Sequence, residues 1–240
     1  MFIDLHCHIL PGIDDGAQNL KHAIAMVEMA IASGTKVMVA TPHMHPGIYN
    51  NNPATIEAAY NTLKHAVTQR ELDIELRSAA EVHLCPEVML WAEKGLLPFI
   101  GEYQHKSLLL LELPHSSVPQ GTTSLVRWLH NNNIQVMIAH PERNHGIWKN
   151  PYQLSQLLKL GCLFQVTADS FLGRFRQQAQ NIAESLLKAD SIHIVASDAH
   201  DLEKRTPDLR EAFEQISLLS SEQHAKRLLW DNPAQMLGKH

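Results

Sequence analysis

The sequence is poor in cysteine, and the few cysteines follow no spacing that suggests a site. Cys7, Cys85 and Cys162 form no CxxC pair, so neither a disulfide framework nor a thiolate zinc site is expected. None of them has an arginine six residues later, which excludes the thiol-based phosphatase mechanism. We therefore expect three reduced thiols without a catalytic role.

Long apolar runs and basic clusters are also lacking. The N-terminus carries no basic stretch and the apolar segments are short, which predicts a cytoplasmic protein with neither a signal peptide nor a membrane span. Lys and Arg total 20 against 25 Asp and Glu, a net charge of −5. Without a basic cluster to neutralise a row of phosphates, nucleic acid is not an expected partner.

The sequence alternates short apolar runs with longer segments of helical period, the pattern of βαβ units around a mostly parallel sheet. The predicted strands are seven: 2–5, 36–40, 73–79, 107–111, 134–139, 163–166 and 193–196. The predicted helices are 20–33, 54–70, 86–94, 121–132, 151–160, 177–190, 208–217 and 221–229. No linker interrupts the units, so one α/β domain spanning 1–240 is predicted, as a barrel of seven units. A doubly wound open sheet is the alternative.

Histidine, by contrast, is abundant at 16 residues, and several histidines stand beside carboxylates where predicted strands end. Barrel enzymes place their chemistry at this end of the strands. An HxH pair alone is weak evidence, but burying so many polar side chains near one axis is costly unless each is paired or metal-bound. The candidate metal ligands are His6, His8, Asp15, His43, Glu81, Glu112, His140, Asp198 and His200.

The types of candidate ligand constrain the metal. Imidazoles and carboxylates without thiolates suit Mn²⁺, with Fe²⁺ or Zn²⁺ as alternatives, rather than Ca²⁺ or a structural zinc. Nine ligands exceed the needs of one ion, so two or three divalent ions are expected, with Glu81 able to bridge. Arg143 and Arg205 follow proposed ligands closely, and their guanidinium groups match phosphate oxygens. These features predict hydrolysis of a phosphate ester.

Three stretches carry a resemblance to a known family. Residues 4–16 (DLHCHILPGIDDG), 138–143 (IAHPER) and 196–200 (ASDAH), with Arg205 downstream, resemble the polymerase and histidinol phosphatase (PHP) superfamily. Within it, they are most similar to the CpsB/YwqE-like bacterial protein-tyrosine phosphatases. The resemblance reaches Asn232 and Pro233. It implies a distorted seven-stranded (β/α)7 TIM-like barrel, the PHP fold, with a trinuclear metal site.

The resemblance also implies roles and a substrate. The nine candidate ligands would hold the metals, Arg143 and Arg205 would bind the phosphate, and Asp198 or His200 would assist proton transfer. A metal-bridging hydroxide would attack phosphotyrosine on a protein, typically a membrane-associated tyrosine autokinase that controls capsule or exopolysaccharide synthesis. No role is implied for His45, His83 or His115, which are expected to support the site or lie on the surface. These three histidines are the main departures from the family pattern.

Other functions stay open at this point. A small-molecule PHP phosphatase, such as one for histidinol phosphate, would use the same ions, and only the substrate pocket would differ. Loops 44–53, 113–120 and 170–178 are expected to form that pocket. The lack of a strand-end lysine disfavours an amide hydrolase, and the acidic net charge disfavours a hydrolase of DNA phosphodiesters. The complete ligand set disfavours a catalytically inactive binding module.

Overall fold

The computed structural model describes residues 1–239 and contains parallel strands that alternate along the chain with helices. The strands are β1 Phe2–Cys7, β2 Thr35–Ala40, β3 His43–Met44, β4 Glu75–Ser78, β5 Glu81–His83, β6 Gly101–Tyr103, β7 Lys106–Glu112, β8 Ile134–Ala139, β9 Leu163–Thr167 and β10 Ile194–Ala196. The α-helices are α1 Leu20–Ser33, α2 Pro53–Gln69, α3 Glu87–Glu93, α4 Thr122–Asn131, α5 His145–Lys149, α6 Tyr152–Lys159, α7 Arg176–Lys188, α8 Arg210–Leu219, α9 Glu222–Lys226 and α10 Asn232–Met236.

The strands follow the order β1-β2-β4 in one sheet and β3-β5-β7-β8-β9-β10 in the other, with parallel pairing throughout these paths. Two interrupted strands connect the sheets, because β3 continues β2 and β5 continues β4 after two residues each. Pro42 lies in the first interruption, where its missing N–H removes a ladder hydrogen bond. Counting each interrupted pair once, and leaving out β6, which lies off these paths and is antiparallel to β7, gives the seven predicted strands.

Backbone hydrogen bonds join the first strand to the segment that follows the last. His8 N donates to Ala199 O at 2.8 Å, and Asp198 N donates to His6 O at 2.8 Å. An open doubly wound sheet has its first strand in the interior and its last strand at one edge, so the two would not be joined. The predicted seven-stranded, distorted (β/α)7 TIM-like barrel is therefore confirmed.

Apolar side chains fill the barrel on both faces of its strands. Along β7, Leu108 and Leu110 belong to the inner core, whereas Leu109 and Leu111 pack outward toward the helices. Strands covered on both faces have continuous apolar runs, which is why the sequence reads LLLL here. Leu237 packs into the inner core near the C-terminus of the chain. Polar ligands then occupy the ends of the strands.

The structure differs from the sequence prediction mainly in short elements. The strand β6, antiparallel to β7, and the five-residue helix α5 were not predicted, because three to five residues are too few to show a period. The predicted helix 221–229 is longer, running as α9, a π-helical segment Arg227–Asp231 and α10. Among residues 1–239, no helix combines the length and apolar character needed to cross a membrane.

Candidate metal centre

His6 and His8 form the first part of the site, and each is oriented by a hydrogen bond on its far nitrogen. His6 Nδ1 donates to Gln165 Oε1 at 2.9 Å, and His8 Nδ1 donates to Asp14 Oδ2 at 2.7 Å. Their Nε2 atoms lie 3.2 Å apart, while the intervening Cys7 packs in the outer core. Fixing the tautomer through Nδ1 leaves both Nε2 lone pairs free to bind a cation.

The barrel brings all nine predicted ligands together in overlapping groups, each with donor atoms within 4.8 Å of one another. The groups are His8, Asp15, His43 and His200; His6, His8 and Glu81; His6, His140 and Asp198; and His43, Glu81 and Glu112. Because groups share members, the donors surround several adjacent positions rather than one. This arrangement fits a cluster of cations.

Glu81 is buried at the centre of the cluster. Its Oε1 lies 2.8 Å from His140 Nε2 and its Oε2 lies 2.9 Å from His43 Nδ1. The two oxygens also lie 3.5 Å from His6 Nε2 and His8 Nε2, respectively. A carboxylate between two sets of imidazoles has the geometry of a bridging ligand.

Several buried polar atoms in the centre have no hydrogen-bond partner among residues 1–239. They are His43 Nδ1, Glu81 Oε2, Asp198 Oδ1 and His200 Nε2. The 2.9 Å contact between His43 Nδ1 and Glu81 Oε2 is not aligned as a hydrogen bond. A buried polar group without a partner typically costs roughly 1–3 kcal/mol, so four such atoms at one place call for a missing partner. Divalent cations satisfy nitrogen and carboxylate donors together. The donor set therefore fits metal ions.

Asp198 divides its two oxygens between the predicted ligands and the two predicted arginines. Arg143 Nη1 and Arg205 Nη2 both donate to Asp198 Oδ2, the latter at 2.6 Å. Asp198 Oδ1 instead faces His6 Nε2 at 3.3 Å and His8 Nε2 at 3.4 Å. One carboxylate thus connects the cation cluster to the guanidinium pair.

The carboxylates make the centre strongly attractive to positive charge. Burial disfavours the charged form of His43, yet Glu81 and Asp15 outweigh it and raise the pKa of His43 to about 10. Burial opposes ionisation of Asp198 as well, but Arg205, His6 and Arg143 hold its pKa well below the usual range. Metal binding to such donors displaces protons.

Two of the predicted ligands have unusual backbone conformations. His140 has φ 30° and Asp198 has φ 51°, in the left-handed region that non-glycine residues rarely adopt. Each follows the end of a strand, β8 and β10, where the chain turns sharply. Such strain of roughly 1–3 kcal/mol per residue is retained mainly at functional sites.

Supporting residues were not found by sequence reasoning. Gln165 is fully buried on β9 and accepts hydrogen bonds from His6 Nδ1 and, at 3.1 Å, from His140 N. Asp14 accepts from His8 Nδ1 and, at 3.1 Å, from His43 N. The position of Asp14 next to the predicted ligand Asp15 could have indicated its supporting role. A single glutamine within an apolar strand indicates such a role only weakly.

The three histidines outside the family pattern lie beside the centre. His83 Nδ1 bonds to Glu112 Oε2 at 2.9 Å, and His45 stacks on His83 with ring centroids 3.7 Å apart. These two therefore support Glu112 from outside. His115 lies farther out, with its ring 4.3 Å from that of His145.

Known proteins are similar to this chain in sequence and fold over most of its length. Residues 2–238 match the family model described as capsular polysaccharide synthesis, CpsB/CapC. The tyrosine-protein phosphatase YwqE of Bacillus subtilis is 34% identical over 88% of this chain and 82% of its own length. The tyrosine-protein phosphatase CpsB of Streptococcus pneumoniae is 26% identical over 98% of both chains.

Solved structures show the same similarity at the level of the fold. A chain from the crystal structures of YwqE and CpsB, reported as unique metal-dependent tyrosine phosphatases, superimposes with a TM-score of 0.91 and 31% identity over 99% of this chain and 95% of that one. The lactonase Lmo2620 of Listeria monocytogenes, at 12% identity and a TM-score of 0.58 over 98% of this chain and 94% of its own, shares the fold alone. The chain belongs to the CpsB/CapC family of capsular polysaccharide synthesis proteins.

Proposed function

We propose that this protein, as a single domain over 1–240, is a metal-dependent protein-tyrosine phosphatase, a phosphoric monoester hydrolase. The observation that carries the proposal is the meeting of nine nitrogen- and oxygen-donor side chains in overlapping groups, with Glu81 buried among them, next to a guanidinium pair. Metal ligands alone would fit many hydrolases. The adjacent Arg143 and Arg205 supply the match to a phosphate dianion, and the relatives named tyrosine-protein phosphatase support that substrate.

The proposed ligands are the nine residues that sequence analysis named, holding two or three divalent ions, with Mn²⁺ first and Fe²⁺ or Zn²⁺ as alternatives. The unpartnered atoms of His43, Glu81, Asp198 and His200 support this assignment, and thiolates contribute nothing because Cys7 points into the outer core. When bound, such ions acidify a coordinated water and neutralise charge on phosphate oxygens.

The protein's own side chains then orient the substrate. Arg143 and Arg205 each present a planar set of donors, and their shared contact with Asp198 Oδ2 keeps the two groups together beside the ligands. We assign them to the phosphate oxygens, where they stabilise charge that develops during transfer. The leaving phenol has a pKa of about 10, so its oxygen needs little protonation. Asp198, which carries no proton of its own because its pKa is held low, or His200 is assigned to assist that step by orienting a water.

The proposed physiological substrate is the phosphorylated tail of a membrane-associated tyrosine autokinase, with the phosphatase acting in the cytoplasm. This part of the proposal is supported by the family's link to capsular polysaccharide synthesis. The identity of the substrate protein does not depend on the metal centre, so this part of the proposal can be wrong while the phosphatase activity is correct.

A substrate panel tests the activity. Purified protein with added Mn²⁺ should hydrolyse p-nitrophenyl phosphate and phosphotyrosine peptides, and should prefer the latter over phosphoserine peptides and histidinol phosphate. His140→Ala should lose bound metal and activity together, whereas His65→Ala, an exposed change on α2, should lose neither. Preference for histidinol phosphate, or full turnover by the His140 variant, would contradict the proposal.

A further inference from the structure

A groove with aromatic walls opens beside the guanidinium pair. It has a volume of about 330 Å³, and it is lined by four rings and three guanidinium groups: His115, His145, Trp148 and Phe175, with Arg143, Arg174 and Arg176. This volume lies at the lower end of the range for small-ligand pockets, roughly 300–1,000 Å³. Two of the three loops expected to form the substrate pocket, 113–120 and 170–178, contribute to it.

The groove lies next to the candidate metal centre, because it shares lining residues with a cavity that reaches two proposed ligands. A smaller polar cavity is lined by Glu112 and His140, both proposed ligands, and by His115 and Arg143. The last two residues also line the aromatic groove. A molecule with its phosphate at Arg143 would therefore extend directly into the groove.

One wall of the groove is held rigidly. The buried Asn144 donates from Nδ2 to Pro114 O at 2.8 Å and to Ser117 O at 3.1 Å, which ties the loop 113–120 to the start of α5. Its Oδ1 also accepts from Ile147 N at 3.1 Å as the N-cap of that helix. Trp148 on α5 is fixed in turn by its Nε1–H, which donates to Glu142 O at 2.6 Å.

The imidazole and indole rings on this wall are in mutual contact. The centroid of His145 lies 4.3 Å from those of both His115 and Trp148, at interplanar angles of 58° and 44°. Tilted contacts of this kind are the favourable geometry for aromatic neighbours. The rings thus form a continuous surface that a further ring could join.

Phe175 also lines the groove and lies close to both phosphate-binding candidates. Its ring lies 4.3 Å from Arg143 Cζ and 5.9 Å from Arg205 Cζ. The next residue, Arg176, has φ 74°, an unfavourable conformation for arginine that turns the chain into α7. Arg174 secures the same loop by an ion pair with Asp169 at 2.7 Å. This strained and anchored turn fixes where the Phe175 ring sits.

We propose that this aromatic groove receives the phenol ring of phosphotyrosine and makes the enzyme selective for aryl over alkyl phosphates. The inference rests on the proposed phosphatase function and adds the residues that choose the substrate. A ring joined directly to the ester oxygen enters the groove as soon as Arg143 holds the phosphate. A phosphoserine places only one methylene there, and histidinol phosphate separates its ring from the phosphate by an aliphatic chain.

The test compares ligands that differ by a ring. One measurement is the ratio of kcat/KM for phosphotyrosine and phosphoserine peptides of the same sequence, which is insensitive to the fraction of active protein. A second is the ratio of calorimetric Kd values for phenylphosphonate and methylphosphonate in the presence of Mn²⁺. Trp148→Leu and His145→Leu should each lower the preference for the aryl ligand roughly threefold to tenfold, the effect of one lost aromatic contact.

Trp91→Leu is the matched control, since Trp91 is a half-buried tryptophan on α3, and both its ratios should equal those of the wild type. Ratios in both groove variants that equal the control's would overturn the groove assignment. A wild type that hydrolyses no phosphotyrosine peptide but still binds phenylphosphonate through Trp148 would refute the proposed function and support the groove. The two failures are therefore distinguishable.

Discussion

Gln165 offers a sharp test of whether the metal centre depends on a residue that binds no metal. Its Oε1 accepts from His6 Nδ1 at 2.9 Å and from His140 N at 3.1 Å, so one buried oxygen orients two proposed ligands. Gln165→Leu keeps the size of the side chain but removes this acceptor. Both donors would then be left buried without a partner.

The expected magnitude follows from those two donors. Each unpartnered group costs about 1–3 kcal/mol, part of which is offset because Gln165 Nε2 already lacks a partner among residues 1–239. The metal-free variant should therefore be destabilised by about 2–4 kcal/mol. Freed to rotate, His6 should also bind metal less well, and loss of such an outer contact typically lowers affinity 10–100-fold.

The assay is a calorimetric Mn²⁺ titration together with urea unfolding of the metal-free protein. Gln135→Leu is the matched control, because Gln135 is a buried glutamine near the start of β8 that donates to Gly161 O at 2.7 Å, away from the site. It should lose stability without losing metal affinity, whereas Gln165→Glu, which keeps an acceptor, should recover metal affinity. Equal Mn²⁺ affinities in the two leucine variants would refute the reasoning.

Three further outcomes are expected. Arg205→Lys keeps the charge but loses the planar donor pair, so kcat/KM for phosphotyrosine should fall roughly 10–100-fold, the value of a charged hydrogen bond. The metal content, measured by elemental analysis, should stay unchanged. Unaltered kinetics would show that Arg205 does not bind the phosphate. Exhaustive chelation should abolish hydrolysis and lower Tm by about 5–10 °C, since saturating ligand contributes about 2.7 kcal/mol at 100 times its Kd, and Mn²⁺ should restore both. Burial raises the pKa of Cys162 to about 12 and that of Cys85 to about 11, so both side chains remain thiols at pH 8. Iodoacetamide should therefore neither label these two cysteines quickly nor inhibit the phosphatase activity. Rapid labelling at pH 8 would contradict this expectation.

Particular residues show how far the sequence could lead. His6 and His8 were predictable because residues two apart lie on the same face of a strand, and the motif around them has a recognisable pattern. Gln165 was not, since an isolated glutamine within an apolar strand has many explanations until its two partners are seen. Phe175 was equally hidden, because its contact with Arg143 and Arg205 joins three separate loops.

The sequence by itself determined the repeating β/α architecture. A strand that is buried on both faces needs a continuous apolar run, and such runs are visible in the sequence whichever strands are neighbours. It also determined which residue types stand at the strand ends, and therefore a chemistry of imidazole, carboxylate and guanidinium groups. Only the tertiary structure decided which oxygen of Asp198 faces the ligands and which faces the arginines. It also decided which ring stands beside Arg143 and Arg205, since Phe175 and the two arginines come from three different loops.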